Sequence, residues 1–126
     1  MLHLETLSAG LVHISEADHP VSVVHLAQHD EPSALQLSLL LGRPSLLAMQ
    51  VVSVAAFFAS ATTDQAFHSA AERAVVERYR ALVRFLTDEL ADSRAYRLGR
   101  IDIDVFVLGR TSDGEWAGVA TKVIET

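Results

Sequence analysis

The eight residues Ile101-Asp102-Ile103-Asp104-Val105-Phe106-Val107-Leu108 constrain the fold more than any other stretch of the chain. Side chains alternate across a strand, so Ile101, Ile103, Val105 and Val107 share one face, and Asp102, Asp104, Phe106 and Leu108 share the other. The first face is apolar throughout. The second opens with two carboxylates and closes with two large apolar groups, so the strand's second half needs cover on both sides. Such a strand belongs inside a sheet with layers above and below it. Tyr96-Arg97-Leu98-Gly99 leads in, Gly109 to Gly114 supplies a turn signal, and Glu115 to Ile124 reads as the returning strand.

The helical segment that answers this sheet lies just upstream. Ser69-Ala70-Ala71-Glu72 has capping-box spacing, after which Val75, Tyr79, Leu82, Leu86 and Leu90 recur at helical intervals. Arg73, Glu77, Arg80, Arg84 and Asp88 populate the opposite side, so the stripe is core packing. Near the start, Leu4, Leu7 and Leu11 have helical spacing and Gly10 falls near their end. Residues 12–20 have a polar middle and stop at Pro20, which predicts a turn or exposed loop. Val21 to Gln28 reads as a valine-rich strand. Ser33 with Gln36 opens a short helix, Ala34 to Leu41, that Gly42 and Pro44 close. Ala48 to Ser53 is a short apolar strand, and Ser53 caps a brief helix that carries Phe57 and Phe58 inward. No linker or repeat interrupts residues 1–126, so one domain is expected. Its class is α+β, a three-layer α-β-α sandwich with helices flanking a mainly antiparallel sheet.

Composition narrows the chemistry. The chain has no cysteine, which removes disulfides, thiolate zinc sites and cysteine nucleophiles. The first residues lack a basic region followed by an apolar stretch, and Gln36, Gly42, Arg43, Pro44 and Gln50 break the apolar run from 34 to 56. A soluble cytoplasmic protein with no membrane contact is expected. A net charge of −6 argues against direct binding of nucleic acid, whose phosphates need clustered Lys and Arg. It suits a basic protein partner, and equally it keeps a small protein soluble.

The residues alone leave several constellations open. His25 and His29, two of six histidines, would share a face of an extended strand, but the sequence places no third ligand beside them. Asp102 and Asp104 could hold a hard cation or act as acid and base, or pair with Arg97 and Arg100 as surface charges. No G-x-S-x-G, phosphate-binding loop or Ser/His/Asp grouping is present. At the far end, Glu125-Thr126 follows Val123 and Ile124, so a carboxylate, a hydroxyl and the Glu125 side chain would gather at the end of a strand. Those oxygens suit a hard cation such as Mg²⁺ held by another protein.

The chain resembles the nuclease A inhibitor family. The resemblance lies in Gly10-Leu11, Ser15-Glu16 and Pro20; in Phe57-Phe58, Ala61-Thr62-Thr63 and Gln65; in Ala74-Val75-Val76; and in the long run Tyr96-Arg97-Leu98-Gly99, Asp104-Val105, Gly109, Gly114, Ala117-Gly118, Thr121-Lys122-Val123 and Glu125-Thr126. It implies a sandwich related to the pathogenesis-related-1-like fold. It also implies a non-enzymatic protein, without a cofactor of its own, that inhibits a non-specific DNA/RNA endonuclease of the ββα-metal class one to one. Carried over, Thr126 reaches the nuclease's catalytic Mg²⁺ with Glu125 beside it, Glu16 pairs with a nuclease arginine, and Gln65 and Phe67 lie at the interface. The chain departs from the family in carrying Phe67 where tryptophan is usual, no aromatic from Val21 to Leu26, and Arg100 where an acid is common. Large aromatics anchor interfaces. Two other readings follow: a binding module of the same fold with a non-nuclease partner, and a small metal-dependent hydrolase built on Asp102, Asp104 and nearby histidines.

Overall fold

The computed structural model describes residues 5–7, 12–13, 19–42, 47–59, 62 and 69–124. At its centre is the hairpin of β6 (Asp102–Arg110) and β7 (Trp116–Ile124), joined by a turn in which the Gly114 N–H donates to the Thr111 carbonyl at 2.9 Å. Strand β5 (Ala91–Leu98) flanks β6 and β4 (Met49–Val52) flanks β5, while β3 (Ser22–Leu26) flanks β7 on the other side. Every neighbouring pair is antiparallel, in the order β3-β7-β6-β5-β4. With its helices, the molecule is α+β.

The expected gradient along β6 is present. Asp102 is exposed and Asp104 half-buried, whereas Phe106 and Leu108 are 6 % and 0 % exposed. Two apolar clusters explain why. On one face Ile103, Val105 and Val107 meet Phe57, Phe58, Tyr79, Leu82 and Leu86, which come from α2 (Val54–Phe57), the residue after it, and α3 (Ala70–Asp88). On the other face Tyr96, Leu98, Phe106 and Leu108 meet Leu37 of α1 (Ala34–Leu40). Phe57 and Phe58 pack edge to face with ring centroids 4.9 Å apart, and Phe58 lies 5.9 Å from Tyr79, tying α2 to α3.

Local chemistry sets the helix boundaries. The Ser69 hydroxyl accepts from the Glu72 N–H and the Glu72 carboxylate accepts from the Ser69 N–H, a complete capping box. Ser33 caps α1 through the Gln36 N–H at 3.1 Å, but that box stays half-formed because the Gln36 side chain pairs with Gln28 instead. Gly42 ends the helix with φ 74°, a left-handed conformation that costs a residue with a Cβ. Buried Ser38 donates to the Ala34 carbonyl at 2.7 Å and accepts from the Leu47 N–H at 3.1 Å, fastening α1 to the chain that returns to β4.

Three expectations change. The ends of the segment expected as a loop are paired: β1 (Val12–His13) lies antiparallel to β2 (His19–Pro20) as a separate two-stranded ladder. Residues 91–95 extend the Tyr96 lead-in into a full strand, despite their polar sequence, with a register irregularity between Ala91 and Arg94 and Asp92 at φ 53°. On α3, Val76 is buried and Val75 is 40 % exposed; an apolar stripe about 100° wide admits either valine, and packing takes the second. Gly118, opposite Leu108, sits where a Cβ would lie 1.8 Å from the Val107 carbonyl oxygen, so no side chain fits there.

Candidate functional site

Three separate segments arrive at one end of the sheet. Strand β7 finishes there, its last residue Ile124 paired with Asp102 at the start of β6. Strand β3 begins there, with Ser22 opposite Ala120. Only Val21 separates β3 from β2, and β2 touches β7, so the stems of the β1–β2 ladder stand beside the closing part of β7. Val21 and Val123 are buried in the same apolar cluster, which fixes that approach.

The third segment is the start of α3. Glu89 and Leu90 alone join α3 to β5, and so short a connection reverses the chain. Since α3 packs on β5, its capped N-terminus points toward the end where β5 finishes, β6 starts and β7 ends. The chain leading into Ser69 is anchored again at Thr62, whose carbonyl accepts from Arg80 Nε at 2.8 Å. Ser69 and Arg80 are separated by about 16 Å of helix.

Glu16, Gln65, Phe67, Glu125 and Thr126 all lie outside the described residues. What the structure fixes is the support on either side of them. Glu16 belongs to the connection between β1 and β2, Gln65 and Phe67 to the stretch between Thr62 and Ser69, and Glu125 and Thr126 follow the last paired residue of β7.

A charge pair at this end is open to water. Lys122 Nζ stands 3.2 Å from Asp102 Oδ1, with side chains 34 % and 52 % exposed, an arrangement worth about 0–1 kcal/mol. The expected partner Arg97 is opposite Val105, so it projects from the other face of the sheet than Asp102 and Asp104. His25 and His29 do not share a strand face either: β3 ends at Leu26, and His25 Nε2 lies 3.1 Å from Glu115 Oε1. Among the described residues no group of three or more His, Asp or Glu gathers as metal ligands would. None of the described helices is long and apolar enough to cross a membrane.

One buried polar contact had no sequence signal. The Tyr96 hydroxyl donates to Glu31 Oε1 at 2.8 Å, and Arg94 Nη1 approaches the same oxygen at 3.3 Å. Burial, and then the bond to Glu31 and its charge, push the Tyr96 phenol up to about 12, so it is a neutral donor at any ordinary pH. It ties the chain ahead of α1 to the middle of β5, a structural task away from the three converging segments.

The model of a family described as nuclease A inhibitor-like protein covers residues 1–126. No curated protein matches the sequence.

Proposed function

The chain belongs to the nuclease A inhibitor-like family, and on that premise we propose that it is a protein inhibitor of a non-specific DNA/RNA endonuclease of the ββα-metal class, bound one to one in the nuclease's active site. The observation that carries the reading is the convergence at one end of the sheet. The strand leading to Thr126 and the stems of the segment bearing Glu16 meet there, and the helix preceded by Gln65 and Phe67 points its start toward the same end. The family resemblance assigns the partner contacts to these same segments.

In this reading Thr126 offers its hydroxyl and carboxylate to the divalent metal, with Glu125 beside it. Hard cations take oxygen ligands, and a filled metal position leaves no room for the scissile phosphate. The metal, Mg²⁺, is the nuclease's own. Glu16 pairs with an arginine of the nuclease, while Gln65 and Phe67 close the rim. The net charge of −6 speeds encounter with a basic active site and disfavours direct binding of nucleic acid. The reading is completed by a non-catalytic, single-domain bacterial protein of the cytoplasm, with the three-layer α-β-α arrangement of the pathogenesis-related-1-like fold.

The test is a titration of the purified nuclease with wild type, a Thr126 deletion and Glu16→Ala. Truncating one partner of a buried charge pair costs about 2–5 kcal/mol, so Glu16→Ala is expected to weaken inhibition at least thirtyfold. The deletion is expected to weaken it comparably, and both variants are to keep the wild-type melting temperature. Equal potency of all three would overturn the assignment. The second reading, a module of the same fold with another protein partner, is favoured by β3, whose sequence Ser-Val-Val-His-Leu offers no aromatic anchor. Absence of inhibition at stoichiometric dose would select it.

A further inference from the structure

From Pro32 to Thr63 the only charged residue is Arg43, in a chain that is 21 % charged overall. The elements this stretch builds leave apolar groups in water. Leu35, Leu39 and Leu40 of α1 are 53–58 % exposed, and the three line a shallow groove of about 350 Å³. Met49 and Val51 of β4 are 36 % and 45 % exposed. Together these side chains expose on the order of 400 Å² of apolar surface, close to the apolar share of the roughly 800 Å² that each partner buries in a standard interface.

Strand β4 is an edge of the sheet, paired on one side only among the described residues. Natural edge strands are guarded by shortness, charges, prolines, bulges or a covering element; β4 is short, but Met49-Gln50-Val51-Val52 has no charge or proline and pairs with β5 in unbroken register. Its backbone polarity is fixed. The Ala48 carbonyl accepts from the Gly99 N–H at 3.0 Å, and alternate residues send their backbone groups to opposite sides, so Met49 and Val51 turn theirs to the open edge.

We propose that this edge is a self-association surface: two copies of the chain pair antiparallel through β4, with the two-fold axis at Gln50. That register sets Met49 opposite Val51 of the second copy, so each backbone group turned outward gains a partner. An antiparallel edge pairing requires the axis to stand perpendicular to the sheet, which leaves α1 of both copies on the same face. Met49 and Val51 follow the parity of their partners Leu98 and Tyr96, and so lie on the face that α1 covers. One symmetry operation therefore covers the bare strand and sets the bare leucines of both copies on the same face, and among the described residues neither α1 nor β4 carries a charge. A basic nuclease would find no acidic side chain on α1 or β4. The end of β7 lies three strands away, about 14 Å across the sheet, and stays open in such a dimer. The proposal does not depend on the nuclease reading.

Sedimentation of the purified chain from low micromolar to a few hundred micromolar tests it, beside Val51→Lys and Leu39→Glu. Wild type is expected to shift from monomer to dimer mass over that range. Val51→Lys, which sets a lysine of each copy beside the joint, and Leu39→Glu are expected to stay monomeric with an unchanged helix-and-sheet spectrum. Hydrogen exchange at the Met49 and Val51 amides is expected to slow as wild type is concentrated. A wild type that remains monomeric at every concentration overturns the proposal. So does a folded variant pair that dimerises like wild type, or a dimer whose β4 amides exchange as fast as the monomer's.

Discussion

Replacing Tyr96 with phenylalanine removes one proton donor and keeps the ring. The ring is 1 % exposed and its hydroxyl donates to Glu31 at 2.8 Å, whereas the Glu31 side chain is 52 % exposed. A hydrogen bond to a charged group contributes about 1.5–3 kcal/mol, but water can reach Glu31 and replace the lost donor, so the expected loss near neutral pH is about 1 kcal/mol. The pH dependence is more telling. An unfolded tyrosine ionises near 10 and the folded Tyr96 near 12, so the folded state holds this proton more tightly. The stabilisation is complete below pH 10 and shrinks as pH rises toward 12. Each unit in that window removes up to about 1.4 kcal/mol, and roughly 1 kcal/mol once solvent access at Glu31 is allowed for. Urea unfolding of wild type and Tyr96→Phe in parallel buffers between about pH 8 and 12 measures the difference, because all other titrations are common to both. The wild-type advantage is expected to hold up to pH 10, to reach zero about one unit higher, and to reverse in favour of Tyr96→Phe by pH 12. A phenolate absorbance difference between the two proteins should show its midpoint near 12. Parallel stability curves through the window, or a midpoint near 10, would refute the coupling of Tyr96 to burial and Glu31.

Two further predictions address the scaffold. Ser69→Ala removes the acceptor of the Glu72 N–H at the start of α3 while the backbone half of the capping box remains, and is expected to cost about 1 kcal/mol, seen as a fall of several degrees in the melting temperature; Ser69→Asp should retain most of it. Gly118→Ala drives a Cβ to 1.8 Å from a backbone oxygen of β6 that cannot swing aside, so urea unfolding is expected to show a loss of about 3 kcal/mol or failure to fold, and a near-wild-type midpoint would contradict the packing described.

Legibility in the sequence followed the range of the determining interaction. The Ser69 box and the Ser33 and Ser53 caps act over three residues, and their helices begin where those caps stand. The passage of β6 from Asp102 to Leu108 is a period-two pattern, so the need for cover on both faces could be read directly. Of the candidate site, the sequence alone nominated Glu125 and Thr126; Glu16, Gln65 and Phe67 came only through resemblance to a family, and the structure describes their supports. An interface residue that is solvated in the free protein leaves no periodicity or cap to detect.

The sequence by itself determined the helix starts, the central hairpin and the two-sided burial of β6, because each depends on neighbours a few residues apart. Only the tertiary structure decided that the polar residues 91–95 form a strand, that Val76 and not Val75 turns inward, and that Asp102 meets Lys122 across the ladder. It alone brought Glu31 to Tyr96 across 65 positions, set β2 beside the end of β7, and pointed the start of α3 toward that end of the sheet. Contacts of that range are selected by how whole elements pack, and no local stretch of chain encodes them.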